Sequence, residues 1–470
     1  VLHLPPNRLP VRPPVEIAAA LLDGQDHLSP APEAGWCLTT ATAARVLQDV
    51  DGATLPHAAL LQAVRRPAAP PCHVAPVPIG LPDLPAAFSS GRPFAGPFDN
   101  RAEPGAAAHA ISLAETRAQR PPAPRLPADL EVVGTPPVLR PGEILALLVT
   151  RNEALRLPDA LASLRRLGVD RVVVIDNGST DGTAELARQA GAHLVRAEGS
   201  YAASNFGLTW TNAVLDAWAR GHWVLVVDAD EQLVYPGCEE AGLHALTAHL
   251  DGLGSEALRT VMLDLFPAGP LAGCDYVPGG RLVEAAPLFE PPRLRQERLT
   301  EFPHRLDYGG VRERLFFPEA DPRRPGRWLW QRLYNLGLRV PVLRRSVRYA
   351  ELAPPRSPTL TKFPLLRWRE GSALIASTHR TTPLRIASIQ PGGVLLHFKF
   401  LQDFHARALD AVRRGAHYDG SREYRRYLER IEREPDFSLA GPRTRVYAGP
   451  QQLVELRLMA DTPAWQAARG

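Results

Sequence analysis

The sequence predicts an α/β protein whose core is a mostly parallel sheet covered by helices on both faces. Between Gly142 and Val227, short apolar runs alternate with helical stretches of roughly ten to fifteen residues, the pattern of β-α-β units. Two of these runs end directly in acidic and turn-forming residues, as strands do when they deliver polar groups to one sheet edge.

Taken in order, residues 144–149 are long enough for a buried first strand. Residues 158–167 have helical spacing, with Leu161, Leu164 and Leu167 on one face. Residues 172–175 are a β-branched run and hence a second strand. A helix over 180–190, a short strand over 193–196, a longer helix over 204–220 and a strand over 223–227 follow. After Glu231 the alternation becomes irregular. Residues 261–265 and 394–400 are the clearest later strands, and 403–414 and 421–432 read as arginine-rich surface helices.

The chain has 470 residues, with a 45% hydrophobic and 22% charged composition that excludes a mostly disordered protein. Its 48 prolines, about twice ordinary usage, predict long irregular connections. Residues 117–128 read as a stiff Pro-rich linker. The expected organisation is an N-terminal accessory domain of unknown role over 1–128, with a short helix at 40–50, then a core domain over 140–400 and a helical C-terminal segment over 401–470.

No apolar run is long enough for a membrane-spanning helix, and no segment reads as a signal peptide. Cys37, Cys72, Cys238 and Cys274 form no C-x-x-C pair, so neither a disulfide framework nor a zinc site is expected. A cytoplasmic location, with peripheral contact at the inner membrane as an option, follows as the default. A net charge of +4 is too weak to imply a nucleic-acid partner, and none is expected. Only Lys362 and Lys399 are lysines; the other 52 basic residues are arginines.

The first motif is Ile175 to Thr183, IDNGSTDGT. Asp176 and Asn177 can hydrogen-bond a base or ribose. Gly178 and Gly182 permit tight turns, and Thr180 or Asp181 can cap the next helix. The same residues also suit an ordinary turn and cap. The second is Asp228-Ala229-Asp230-Glu231, directly after the strand WVLVV. Acids crowded at a strand end repel unless a cation or hydrogen-bond donors neutralise them. Oxygen ligands of this kind suit Mg²⁺ or Mn²⁺, with a bound diphosphate supplying the rest of the shell; a solvated acidic turn is the alternative.

Together, Thr150-Arg151-Asn152-Glu153, DNGSTDGT, Asn205 within YAASNFGLTW, and DADE resemble, in the expected order, the nucleotide-sugar-binding half of family 2 glycosyltransferases with the GT-A fold. The resemblance implies a GT-A core that binds a nucleoside diphosphate sugar, with UDP as the expected nucleotide. It implies a nucleotide-binding set of Thr150, Arg151, Asn152, Glu153, Asp176, Asn177, Asp181, Asn205, Asp228 and Ala229. Asp176 would meet the base, Asp228 the ribose or metal, and Asp230 the metal.

Gly309 to Leu315, GGVRERL, resembles a G-x-V-H-E-x-L segment of lipopolysaccharide-core-type family 2 enzymes, with Arg312 in place of the His. An inverting transferase needs a base for the acceptor hydroxyl. Glu313 would serve, held ionised by Arg312 and Arg314, or would be a structural Glu paired with them; Asp307 and Glu231 are reserves. In Leu395 to Phe400, LLHFKF, His397 and Lys399 would share one face of a strand. The resemblance makes His397 a third metal ligand beside Asp228 and Asp230, and Lys399 a contact of the leaving diphosphate. KFPLLRW, Ser377-Thr378-His379 and LLHFKFL are also similar to family 92 transferases, which adds His379 as a secondary candidate.

Finally, the eight arginines between Asp321 and Glu351 have no acid among them and are interleaved with Trp328, Leu329, Trp330 and Tyr334. The segment 323–348 could rest on an anionic membrane, clamp an acceptor phosphate, or form a solvated basic face.

The resulting expectation is a metal-dependent, Mn²⁺- or Mg²⁺-using glycosyltransferase that moves a sugar, with inversion, to a hydroxyl of a glycan or glycolipid acceptor. Two alternatives stand beside it. One is a catalytically inactive glycan-binding scaffold on the same fold. The other is a nucleotidyltransferase, which would place a glycine-rich basic loop where Arg151-Asn152-Glu153 stands.

Overall fold

A computed structural model describes residues 28–30, 36–38, 126–298, 305–321, 323–337, 356–382, 387–415 and 418–470. The chain divides into two compact units, Val1–Pro97 with Glu103–Glu115, and Phe98–Ala102 with Thr116–Gly470. In the first unit, β1 (Leu28–Pro30) pairs antiparallel with β2 (Trp36–Leu38). The helix expected at 40–50, and the linker as far as residue 125, lie outside the described residues.

The second unit opens with β3 (Leu130–Val133), β4 (Leu145–Thr150), α1 (Leu157–Arg166), β5 (Arg171–Asp176), α2 (Thr183–Gln189), β6 (His193–Ala197), α3 (Leu208–Trp218) and β7 (Trp223–Val226). This is the expected alternation. β6, β5, β4 and β7 lie side by side and run parallel. β3 adds an antiparallel edge against β6, ahead of the boundary expected at residue 140.

The side-chain period of two divides these strands between two cores. Ile144, Ala146 and Leu148 join Val174, Leu225 and the leucines of α1 on one face. Leu145 and Leu147 join Val173, Ile175, Val224 and Trp210 of α3 on the other. Strands buried on both faces explain the unbroken apolar runs in the sequence.

β8 (Glu231–Val234), α4 (Leu243–Gly252), β9 (Ala257–Phe266), α5 (Leu282–Ala285), β10 (Leu288–Phe289), β11 (Arg295–Arg298) and β12 (Arg305–Tyr308) come next. α6 (Gly310–Phe316), α7 (Arg327–Gly337), β13 (Thr361–Arg367), β14 (Ala373–Ala376), β15 (Arg380–Thr382) and β16 (Ala387–His397) follow. β13 is inserted antiparallel between β7 and β9. Proline is unusual in a central strand because it lacks the ladder donor; here Pro364 sits where the register with β9 shifts between Lys362 and Leu365. β16 runs parallel to β9 and antiparallel to β8, which carries its end to the acids after β7.

The chain ends in α8 (Phe404–Arg414), α9 (Tyr418–Arg433), β17 (Arg445–Val446), α10 (Pro450–Glu455) and α11 (Pro463–Arg469). α8 and α9 are not peripheral. Phe404 and Tyr427 are buried with Phe266, Phe316 and Phe400, and the Phe316 and Tyr427 rings meet edge to face at 4.6 Å. Among the described residues, no helix is long and apolar enough to cross a membrane.

Candidate functional site

The loops after β4 and β5 are knitted to each other. Asn152, at φ 54°, accepts from the Thr180 amide at 2.8 Å, and its own amide donates to Ser179 at 2.9 Å. The Glu153 amide donates to Thr183 at 2.8 Å and the Ala154 amide to Asp181 at 3.0 Å. Arg151 reaches the Asn177 carbonyl at 2.6 Å, and Asn177 donates to the Ala197 and Gly199 carbonyls. Asp176 accepts from the hydroxyl and amide of Ser179.

Gly178 and Gly182 take φ of 67° and 90°, values that a side chain would oppose. Gly182 thus stands just before α2 as its N-cap, and Asp181 takes the Thr183 amide at 3.1 Å. Thr150 is turned inward to the Ile175 carbonyl. Asn205 is not on a helix as expected. It occupies a left-handed turn at φ 53° before α3, which starts three residues later.

Asp228 and Asp230 part company at the end of β7. Asp228 is 56% exposed and lies 3.3 Å from Lys362, whose side chain is buried. Lys362 also pairs with Glu231, and Glu231 caps the Asp228 amide at 3.2 Å. Burial opposes charge on Lys362, but Glu231 and Asp228 raise its pKa; burial raises that of Glu231 against the pull of Lys362. Glu231, named as a reserve base, thus also braces the turn between Lys362 and the Asp228 amide.

Asp230 is buried and turns to His397, with 3.6 Å between Oδ2 and Nε2. Burial works to raise its pKa, yet His397, Arg407 and Arg156 hold it well below the usual carboxylate range. The other imidazole nitrogen, Nδ1, meets Asp264 of β9 at 2.6 Å, and Asp264 takes the Arg312 guanidinium at 2.9 Å. Asp230, His397, Asp264 and Arg312 thus form one buried chain from sheet edge to α6.

Lys399 lies beyond the end of β16 rather than on one strand face with His397. Its Nζ stands 4.6 Å from the centre of the Tyr424 ring, 5.1 Å from that of Tyr427, and 3.4 Å from Glu423. Burial acts against its charge, but Glu423 raises its pKa. Arg407 of α8 grips Glu153 at 2.6 and 3.1 Å. Burial pushes the Glu153 carboxyl up to about 7, against the pull of Arg407 and Arg156. Arg156, fully buried ahead of α1, holds both Asp403 oxygens at 2.6 Å and the Phe398 carbonyl at 3.1 Å.

The expected bases fare differently. Glu313 on α6 is paired with Arg295, at 3.3 and 3.4 Å, and takes the Ser357 hydroxyl at 2.6 Å. Arg312 and Arg314, expected to hold it, turn instead to Asp264 and Glu290. Asp307 is fully buried, and its Oδ2 takes both the Arg259 guanidinium and the Thr361 hydroxyl. His379 is hydrogen-bonded to the Thr361 carbonyl at 2.7 Å, and burial beside Lys362 holds its pKa well below the usual range.

Among the described residues, no three His, Cys, Asp or Glu side chains form a group able to hold a metal ion. The expected trio of Asp228, Asp230 and His397 is therefore not assembled. Asp230 and His397 are. A histidine oriented through Nδ1 by a carboxylate, with Nε2 facing a second carboxylate, is a donor set that fits Mn²⁺ or Mg²⁺ when other oxygens complete the shell. Sequence reasoning missed Lys362, Asp264, Arg156, Arg407 and Glu423. Of these only Lys362 carried a signal, the rarity of lysine.

A parallel sheet edge with acids at one strand end and two interlocked loops beside them is the place where open α/β sheets bind their ligands. Residues 146–241 match the model for "Glycosyl transferase family 2", so this part of the chain is a family 2 glycosyltransferase domain. Glycosyltransferase AglJ of Haloferax volcanii is 41% identical over 90 residues, 19% of this chain and 28% of that protein. A TPR repeat-containing protein of Synechococcus elongatus is 38% identical over 92 residues, 20% of this chain and 21% of that protein. The chain thus spans less than a third of the length of these relatives. The S. aureus TarS structure, residues 1–349, aligns with 26% of this chain and 35% of its own at 24% identity and a TM-score of 0.20. Glucosyl-3-phosphoglycerate synthase of Mycobacterium tuberculosis, in complex with Mn²⁺, UDP and glucosyl-3-phosphoglycerate, aligns with 26% and 44% at 22% identity and 0.18.

Proposed function

We propose that this protein transfers a sugar from a nucleoside diphosphate sugar, with UDP as the expected nucleotide, to a hydroxyl of a glycan or glycolipid. The observation that carries the reading is the Asp230–His397 pair, which joins the turn after β7 to the end of β16 beside the exposed Asp228; both aspartates lie within the matched segment 146–241. Asp230 and His397 would hold the divalent cation, which offsets negative charge on the leaving diphosphate. Asp176 and Arg151 line the nucleotide side, and Asp228 faces solvent where a ribose would lie. Lys399 is the cation of this chain nearest in role to the diphosphate, its charge kept by Glu423.

Glu313 is the proposed base, kept oriented by Arg295 and Ser357, and would take the acceptor proton on its carboxylate as the hydroxyl attacks the anomeric carbon. Displacement of the diphosphate from the opposite face inverts that carbon.

Thermal unfolding against a panel of nucleotides and nucleotide sugars, with and without Mn²⁺, tests the reading. A ligand at a hundredfold excess over its Kd stabilises the native state by about 2.7 kcal/mol. The expected result is a Mn²⁺-dependent rise in Tm with one nucleoside diphosphate, lost in Asp230→Ala. Absence of any shift from folded protein overturns the donor site, and binding without transfer to any acceptor points to an inactive scaffold.

A further inference from the structure

The parallel strands reverse their direction of spread at β4: β5 and β6 lie on one side of it and β7 on the other. The crevice beyond the strand ends at such a reversal is where open α/β sheets hold a ligand. Here its walls are the loop after β4, with Glu153, and the turn after β7, with Asp228 and Asp230. Both walls lie in the matched segment 146–241, and both present carboxylates. A diphosphate entering between them gains from cations supplied by the rest of the chain.

Arg156, Lys362, Lys399 and Arg407 stand about these acids, but they differ in what they can offer a ligand. Arg156 is fully buried and taken up by Asp403, and Lys362 is buried against Glu231. Lys399 is 12% exposed and enclosed by Glu423 and two tyrosine rings. Arg407 is 30% exposed. Among the described residues its side chain has one hydrogen-bonding partner, Glu153, and a guanidinium carries more donors than one carboxylate can take. The same charge helps to hold Asp230 ionised, so Arg407 acts on both walls. Its position is pre-set: Phe404 is buried in the aromatic core, and Asp403 anchors the start of α8 on Arg156.

We infer that Arg407 grips the diphosphate of the nucleotide sugar with the donors that Glu153 leaves, so that α8, outside the matched family segment, completes the donor site. Lys399 then acts on the same diphosphate from deeper in the fold. The inference rests on the transferase reading, which supplies the diphosphate.

Isothermal titration of the full chain with UDP and with uridine, Mn²⁺ present, tests it; GDP and guanosine replace them if the nucleotide panel selects guanine. Arg407→Met alone would leave the buried Glu153 carboxylate without its cation and endanger the fold, so the comparison is made in Glu153→Gln. Thermal unfolding checks that the double variant is folded. Adding Arg407→Met to Glu153→Gln should weaken UDP binding by about 10–100-fold, as loss of a charged hydrogen bond does, and leave uridine binding unchanged. Equal UDP affinity with and without Arg407 overturns this inference alone. So do equal losses for UDP and uridine, or loss of UDP binding already in Glu153→Gln, because the pair would then be a brace of the loop. A parent that binds no nucleoside diphosphate overturns the transferase reading and this inference together.

Discussion

Asp264 serves two masters: one carboxylate oxygen meets His397 Nδ1 at 2.6 Å, and the other takes the Arg312 guanidinium at 2.9 Å. A single residue of β9 thereby orients the imidazole at the acid cluster and ties α6, which carries Glu313, to the same sheet. Burial would raise the Asp264 pKa, but Arg312 and His397 bring it below the usual value, so it stays a carboxylate.

Asp264→Asn should keep the shape of this contact and lose its charge. The expected effect is a drop of about 10–100-fold in Mn²⁺ affinity in the presence of a nucleoside diphosphate, the usual cost of losing the residue that orients a metal-binding histidine. Electron paramagnetic resonance of free Mn²⁺ measures it without any turnover. Unchanged affinity would remove His397 from the metal site.

Lys362→Met should destabilise the fold by about 3–5 kcal/mol, because Glu231 is left buried without its cation. Adding Glu231→Gln should recover most of the loss, as the offending charge is then gone. Denaturant unfolding of the two single variants and the double gives the coupling. Additive losses would mean that the pair does not brace the turn.

Glu423 gives an acid-side signature. Burial would raise its pKa, but Lys399, Arg312 and the Tyr427 hydroxyl bring it down to about 2. A carboxylate whose folded pKa lies below its unfolded value stabilises the native state above the unfolded pKa, and that stability is lost as pH falls through the folded one. Glu423→Gln should therefore cost about 1–2 kcal/mol at neutral pH, discounted for partial exposure, with the gap closing between about pH 4.5 and 2. Urea unfolding across that range is the check. A gap that does not change with pH would assign the loss to packing.

The four parallel strands were legible because burial on both faces leaves them as unbroken apolar runs, and because the chain punctuates each with glycine or acid. Asp228 and Asp230 were legible for the same reason. Their division of labour was not, since it depends on Lys362 and His397, more than a hundred residues further along. β13 was hidden by Pro364, which argues against a central strand until the register shift is seen. α8 and α9 look like solvated helices by composition, yet Arg407 and Glu423 turn inward because buried carboxylates and a lysine await them. Partners set by tertiary contact leave no periodicity to read.

The burial of Lys362 and Lys399 has a practical side. They carry the only ε-amines in this sequence, and both side chains are withdrawn from solvent beside the acid cluster. Lysine-directed acylation or a lysine-specific protease should therefore leave the folded chain almost untouched at these positions and act as soon as the cluster opens. The molecule carries its own two-point reporter of local unfolding, requiring no engineered label.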